Sequence, residues 1–330
     1  MNNGFYEFSR GKQETTSSVF PYTGSAIITG SLQVVGSVSQ GSDAEASGNY
    51  SHAEGLSSIA SGSFSHAEGQ STVSLGDYSH AEGRETIANV RGSHAEGHLT
   101  SASGGYSHAE GLQTLTIGNY SHAEGRRTTS SGQYSHAEGT DTISSGPYSH
   151  AEGSSSLASG IASHAEGFQT IASGSYSHAE GIRTTASGSY SHAEGDSTQA
   201  IGNYSHAEGS GAVTYGEGSH AEGFATIASG SYQHVQGQFN IASSAQSAFI
   251  IGNGTADNAR SNLVFASGST FQVTGSLNVS GSTTINNILT LQPRTTTPGS
   301  PTNGMLIVSG SGADQHIYCY LNSTWQKLNN

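Results

Sequence analysis

From residue 48 to residue 242 the apolar and polar positions recur every 14 residues without an insertion. The motif at residues 50–55, YSHAEG, sets the frame. Aligned on its histidine, Tyr or Phe stands two residues before it in eleven of fourteen copies. Glycine stands four before it in thirteen copies and three after it in all fourteen. Ser or Thr stands six after it in twelve copies, and Ile, Val or Leu seven after it in ten. The next residue is Ala, Ser or Thr every time. SHAEG itself occurs thirteen times between Ser51 and Gly223, and a worn copy, QHVQG, follows at 233–237.

Glycine about every seven residues breaks helices, and the segments between glycines are too short for helices in any case. They suit short strands, with glycine taking the turns. Each 14-residue unit therefore predicts one coil of a parallel β-solenoid, with adjacent coils about 4.8 Å apart. Side chains alternate along a strand. In Tyr-Ser-His-Ala-Glu this puts Ser and Ala on one face and Tyr, His and Glu on the other. The small pair is expected inside, opposite the Ile, Val or Leu of the second strand. The large set is expected outside, each residue stacked on its own copy. A glutamate column one coil apart costs repulsion, roughly 1 kcal/mol per neighbour in water. The parallel histidine column is the available neutraliser. Pairing would raise the histidine pKa values and depress those of the glutamates.

Composition narrows the classes. Only 32% of the chain is hydrophobic and 10% charged, with 46 glycines, too little for a thick monomeric core. Strict periodicity argues for an array over disorder. A net charge of −14 with ten scattered basic residues disfavours nucleic acid as a partner. The single cysteine, Cys319, leaves no disulfide framework. The N-terminal stretch lacks the basic start and apolar run of a signal peptide. No run approaches 18 apolar residues, so no membrane insertion is expected.

The 14-residue rhythm and the Ser-x-Ala-x-Gly core resemble the head of trimeric autotransporter adhesins, the YadA-like heads. That resemblance implies a left-handed parallel β-roll with three chains side by side. The family motif usually reads Ser-Val-Ala-Ile-Gly, so His52 and Glu54 stand where it has its apolar pair. SHAEG copies also resemble those of phage tail and fibre proteins. So does the exit, QHVQGQFN followed by AFIIGNGTADNARSN. The likeness covers about residues 44–265.

The flanks read in six-residue steps, TGSAII, TGSLQV, VGSVSQ at 23–40 and TGSLNV, SGSTTI at 274–285. They resemble β-structured phage-fibre shafts. Pro293, Pro298 and Pro301 mark a linker, and the tail reads as a small β-unit with a turn at Asn322–Ser323. The expected fold is therefore all-β, a homotrimeric parallel β-roll of fourteen 14-residue coils with short β-structured fibre segments and a C-terminal β-unit. The expected organisation is an N-terminal attachment segment and hexad shaft at 1–43, the roll at 44–243, roll exit and hexad shaft at 244–292, and linker and tip at 293–330.

Candidate chemistry is sparse. Thirteen identical His/Glu pairs in a wall are unlike an active site, which is one pocket of unlike environments, so no catalytic residue is expected. The ladder of His52, His66, His80, His94, His108, His122, His136, His150, His164, His178, His192, His206 and His220 reads as structural. A metal site along His52, Glu54, His66, Glu68, His80 and Glu82 is the weaker reading, since a uniform ladder needs no ion; no cofactor is expected. The tyrosine column reads as a stacked ladder before it reads as a carbohydrate strip. Tyr318, Tyr320 and Trp325 read equally as a receptor contact or as the small core of the tip. The expected role is a structural fibre or whisker of a bacteriophage virion, a rigid spacer partnered by its own copies, by virion proteins through its N-terminal segment, and at its tip by a host receptor. The alternative is a receptor-binding tail fibre or bacterial cell-surface adhesin that recognises a glycan or protein.

Overall fold

The computed structural model describes residues 35–280, 293–294, 305–309 and 316–328. The attachment segment, the hexads at 23–34 and 281–285, and Pro298 and Pro301 lie outside them. The chain divides into two units at Thr274–Gly275.

The first unit is an all-β solenoid of about 15 parallel coils. Each coil gives one strand to each of two sheets. The first sheet begins at the histidines, with His52–Leu56, His66–Gln70 and onward to His234–Gln238. The second runs from Glu45–Ala46 through Ile59–Ala60 and Val73–Ser74 to Ile227–Ala228. Pairing is in register throughout, with His52 beside His66, Ala53 beside Ala67, Glu54 beside Glu68, and Ile59 beside Val73. One further coil precedes the first motif, because Val38–Gln40 pairs with the strand at His52.

The inner wall is built from small side chains alone. Ser51, Ala53, Ser58 and Ala60 are buried, and their counterparts repeat to Ala228. The isoleucine column does not face them. Ile87, Ile143 and Ile171 are 37%, 43% and 38% exposed and point out of the second sheet. The expectation of large facing small across the interior is therefore corrected. In both strands the order is small-in, large-out, small-in, as in Thr142-Ile143-Ser144 and Ser135-His136-Ala137. The interior has room only for the small members of each triplet.

Tyrosine is the second correction. It does not lie on the strand with His and Glu. Tyr78, Tyr134 and Tyr190 have φ of 58°, 58° and 57°, a left-handed conformation uncommon for a bulky residue. Each is the third residue of a turn closed by the next serine. Ser135 donates through both its backbone N–H, at 3.3 Å, and its hydroxyl, at 2.6 Å, to the carbonyl of Gly132. The tyrosine N–H is taken up by the coil before, as in Tyr134 to the carbonyl of Asn119 at 3.0 Å.

The glycine after each glutamate is required. Gly139 has φ of 102°, and a Cβ there would lie 2.2 Å from the carbonyl oxygen of Gly153. No other residue fits so close a backbone approach.

At the exit the repeat lengthens by one residue, so that His234 pairs with Phe249. The inward alanine column widens there to Val235 and Ile250, both fully buried. Polar side chains close this end. The Asn240 amide bonds the N–H and the carbonyl of Ile227, the Gln233 amide donates to the carbonyls of Ser243 and Ala245, and Arg260 donates to those of Ala225 and Asn240. Two antiparallel strands, Asn262–Ser267 and Thr270–Val273, then extend the first sheet.

In the second unit Leu306–Ser309, His316–Leu321 and Thr324–Lys327 form an antiparallel sheet. The turn falls at Asn322–Ser323, where φ is 49° and 67°. Two successive positive values make the kind of two-residue turn that matches hairpin twist. Among the described residues of this unit, Ile307 and Cys319 are buried.

Candidate functional site

The outer face of the first sheet carries the histidine and glutamate columns. The strand places both outward with Ala between them, so the fold of the motif fixes their spacing. The imidazole rings stack nearly parallel, 4.8 Å apart with an interplanar angle of 4° for His136 and His150, and 4.8 Å and 1° for His164 and His178. Only the last step, His220 to His234, is tilted, at 55°.

The pairing of His with Glu changes along the rod. In the first coils the partner is in the same strand, as for His52–Glu54 and His66–Glu68, both at 3.6 Å. From His122 onward the partner is the glutamate of the preceding coil. His136–Glu124 stand at 3.4 Å, His192–Glu180 at 3.3 Å and His206–Glu194 at 3.4 Å. His108 lies at the crossover, 3.9 Å from Glu96 and 4.0 Å from Glu110.

These pairs do not charge the histidines. Burial beneath the neighbouring rings, and repulsion from neighbouring histidines, pull His80, His136, His164 and His206 below the usual imidazole value, against the attraction of the carboxylates. The expected rise is therefore corrected: desolvation and like charges outweigh the pairing. The glutamates instead satisfy one another. Glu152 is pushed up to about 7 by hydrogen bonds to Glu166 and Glu138, and Glu194 to about 7 by Glu208, burial and Glu180. Glu124, Glu166 and Glu208 are held below the usual carboxylate range, first by hydrogen bonds from their glutamate neighbours. Glu152 and Glu194 thus keep a proton to higher pH than a free carboxyl, beside ionised neighbours such as Glu166 and Glu208. At His136 and Glu152 the repulsion is eased by shedding charge, not by the cation–anion pairing that was expected.

Several His-Glu-His groups bring their ligand atoms within 4.8 Å of one another, among them His66, Glu68 and His80, and His122, Glu124 and His136. His52, Glu54 and Glu82 belong to the same columns. Nothing in the repeat pattern gave the side-chain distances on which a metal reading depends.

The aromatic column is a true ladder. Tyr120 and Tyr134 stack at 5.0 Å and 7°, and Tyr190 and Tyr204 at 5.1 Å and 5°. Each ring covers the face of the next, which leaves edges rather than faces to a sugar. At the break made by Gly92 the guanidinium of Arg91 lies 5.6 Å over Tyr78. In the second unit Tyr320 and Trp325 meet edge-on across the hairpin at 5.1 Å, and Tyr318 meets His316 at 6.4 Å. All three tip residues are half-buried, so they pack the unit and also show an edge to solvent.

Taken together, the two in-register parallel sheets, the small-residue interior and the ladders outside define a parallel β-roll. The family model of the YadA head domain repeat matches residues 53–79, 165–191 and 179–205. The chain builds a YadA-like β-roll. No curated protein matches the chain.

Proposed function

We propose that the protein is a trimeric structural fibre of a bacteriophage virion, a rigid spacer without catalysis. The observation that carries this reading is the ladder itself. One set of contacts repeats from Val38 to Gln238 with no insertion, and the groove along it is lined by the same Glu and Gly in coil after coil. Such a surface offers length and stiffness, not a pocket of unlike groups. Three copies side by side would cover the apolar column that each roll leaves exposed. The N-terminal segment attaches to other virion proteins, and the C-terminal unit is the free or host-contacting end. The hexad flanks and the exit segment support the phage setting. Light scattering on purified protein is expected to give three times 33.7 kDa. A folded monomer at micromolar concentration would rule the trimer out. Gold-labelled antibody on native particles tests the location.

A second reading is favoured by the YadA head match: a surface-exposed adhesin or receptor-binding fibre. Its contact would lie at the tip, through Tyr318, Tyr320 and Trp325. Binding of the intact fibre to host cells, lost on Trp325→Ala with the roll still folded, would select this reading over a pure spacer.

A further inference from the structure

We propose that the ladder from His136 to His220 binds divalent transition-metal ions of the zinc class, each held by a histidine Nε2 and the glutamate carboxylate of the preceding coil. The proposal stands whether or not three chains assemble.

The distances carry it. Nε2 and Oε1 are 3.4 Å apart in His136–Glu124, 3.6 Å in His150–Glu138, 3.5 Å in His178–Glu166, 3.3 Å in His192–Glu180 and 3.4 Å in His206–Glu194. A good N–H···O hydrogen bond is shorter, about 2.7–3.2 Å. A tetrahedral ion with bonds of about 2.0–2.2 Å to nitrogen and oxygen separates two of its ligands by roughly 3.4 Å. Each pair is thus spaced as two corners of one tetrahedron.

A second observation points the same way. The Nε2 atoms of His136, His150, His164, His178, His192 and His206 are closed to solvent and have no hydrogen-bond partner. A nitrogen in that position lacks what an ion would supply. Imidazole with carboxylate suits zinc, nickel, cobalt or copper, whereas calcium and magnesium favour all-oxygen sites.

Stacking sets the stoichiometry. Parallel rings 4.8 Å apart aim their Nε2 lone pairs side by side, so two histidines do not converge on one ion. Each ion takes one histidine and one or two carboxylates, and water completes the shell. Dications one coil apart repel, so alternate coils fill.

The test uses the full chain without a histidine tag, stripped with chelator and titrated at pH 7.5 with zinc sulfate in a calorimeter. Saturable binding near one ion per two ladder histidines is expected. The melting midpoint should rise by about 5 °C, and magnesium at the same concentration should do neither. Cobalt(II) in place of zinc should give the intense visible bands of a tetrahedral site. The quadruple variant His136→Gln, His150→Gln, His164→Gln, His178→Gln, which leaves His192, His206 and His220, should lose about half of the bound ions. Absent heat, unsaturable binding, a weak octahedral cobalt spectrum, or unchanged stoichiometry in the folded quadruple variant would each overturn the proposal. Should that variant not fold, the cobalt spectrum of the parent decides.

Discussion

Inside a coil and outside it, the same 14-residue repeat follows different rules. Inside, Ser, Thr and Ala exclude everything larger, and the same size recurs at each site from Ala53 to Ala221. Outside, the columns admit large and charged residues, and what matters is that each meets its own kind one coil away. Histidine stacks on histidine and tyrosine on tyrosine, and Glu152 is raised by its glutamate neighbours one coil away. The inner wall is governed by volume and the outer faces by chemistry. The exit shows the boundary of the first rule: where the coil gains a residue, the inward site accepts Val235 and then Ile250.

Deletion is expected to separate the two rules with the largest effect. Removing residues 104–117 takes out one whole coil and keeps every column continuous. Its melting midpoint should stay within a few degrees of the parent, since each coil touches mainly its neighbours. Removing residues 104–110 keeps small residues inside, because Thr114 and Thr116 replace Ser107 and Ala109. It sets Leu115 into the histidine column and breaks all the outer ladders at one junction. That protein should melt lower by about 10 °C or more. Equal melting of the two would mean that the outer ladders contribute nothing.

Point substitutions sharpen the contrast at single sites. Gly139→Ala forces a side chain against the carbonyl of Gly153 at a φ of 102°, and should cost roughly 3 kcal/mol, combining backbone strain with overlap. Ala151→Leu, at a fully buried site, should cost about 1–3 kcal/mol through overpacking. Ile143→Leu, on the outer face, should stay within about 0.5 kcal/mol. Chemical denaturation of the three variants gives the order. An outer substitution as costly as Ala151→Leu would break the distinction.

The smallest expected effect is in the pH profile. Glu152 and Glu194 bind a proton more tightly when folded, so their contribution is full below about 4.5 and fades as pH rises through about 7. His80, His136 and His206 bind a proton less tightly when folded. Their contribution is therefore full above about 6.5 and is lost as pH falls through the lowered value. Stability should decline on both sides of a weakly acidic to neutral optimum. Glu152→Gln with Glu194→Gln should remove much of the alkaline decline, because Gln donates at any pH. Replacing histidines by Gln should leave that decline in place and soften the acid one. Melting curves from pH 4 to 9 distinguish the two. An alkaline decline that survives the Glu variants and vanishes with the His variants would restore ion pairing as the force in the ladder.

The sequence by itself determined the coil. A strict 14-residue period, two glycines per unit and Ser-x-Ala between outward residues leave few ways to fold, and the in-register pairing of His52 with His66 and Ile59 with Val73 follows from them. The hairpin at Asn322–Ser323 was also legible, from turn residues between apolar runs. Three features were decided by tertiary structure alone. Alternation told which residues of a strand share a face but not how wide the interior is, so the outward isoleucine column needed the packed coil. Tyrosine in a left-handed turn was invisible because local preference would place glycine there; the ring stack and the inter-coil bond of its N–H hold it. The charge state of His136 and Glu152 was hidden because it is set by desolvation and by neighbours one coil away. Sequence spacing counts those neighbours but does not give their distances.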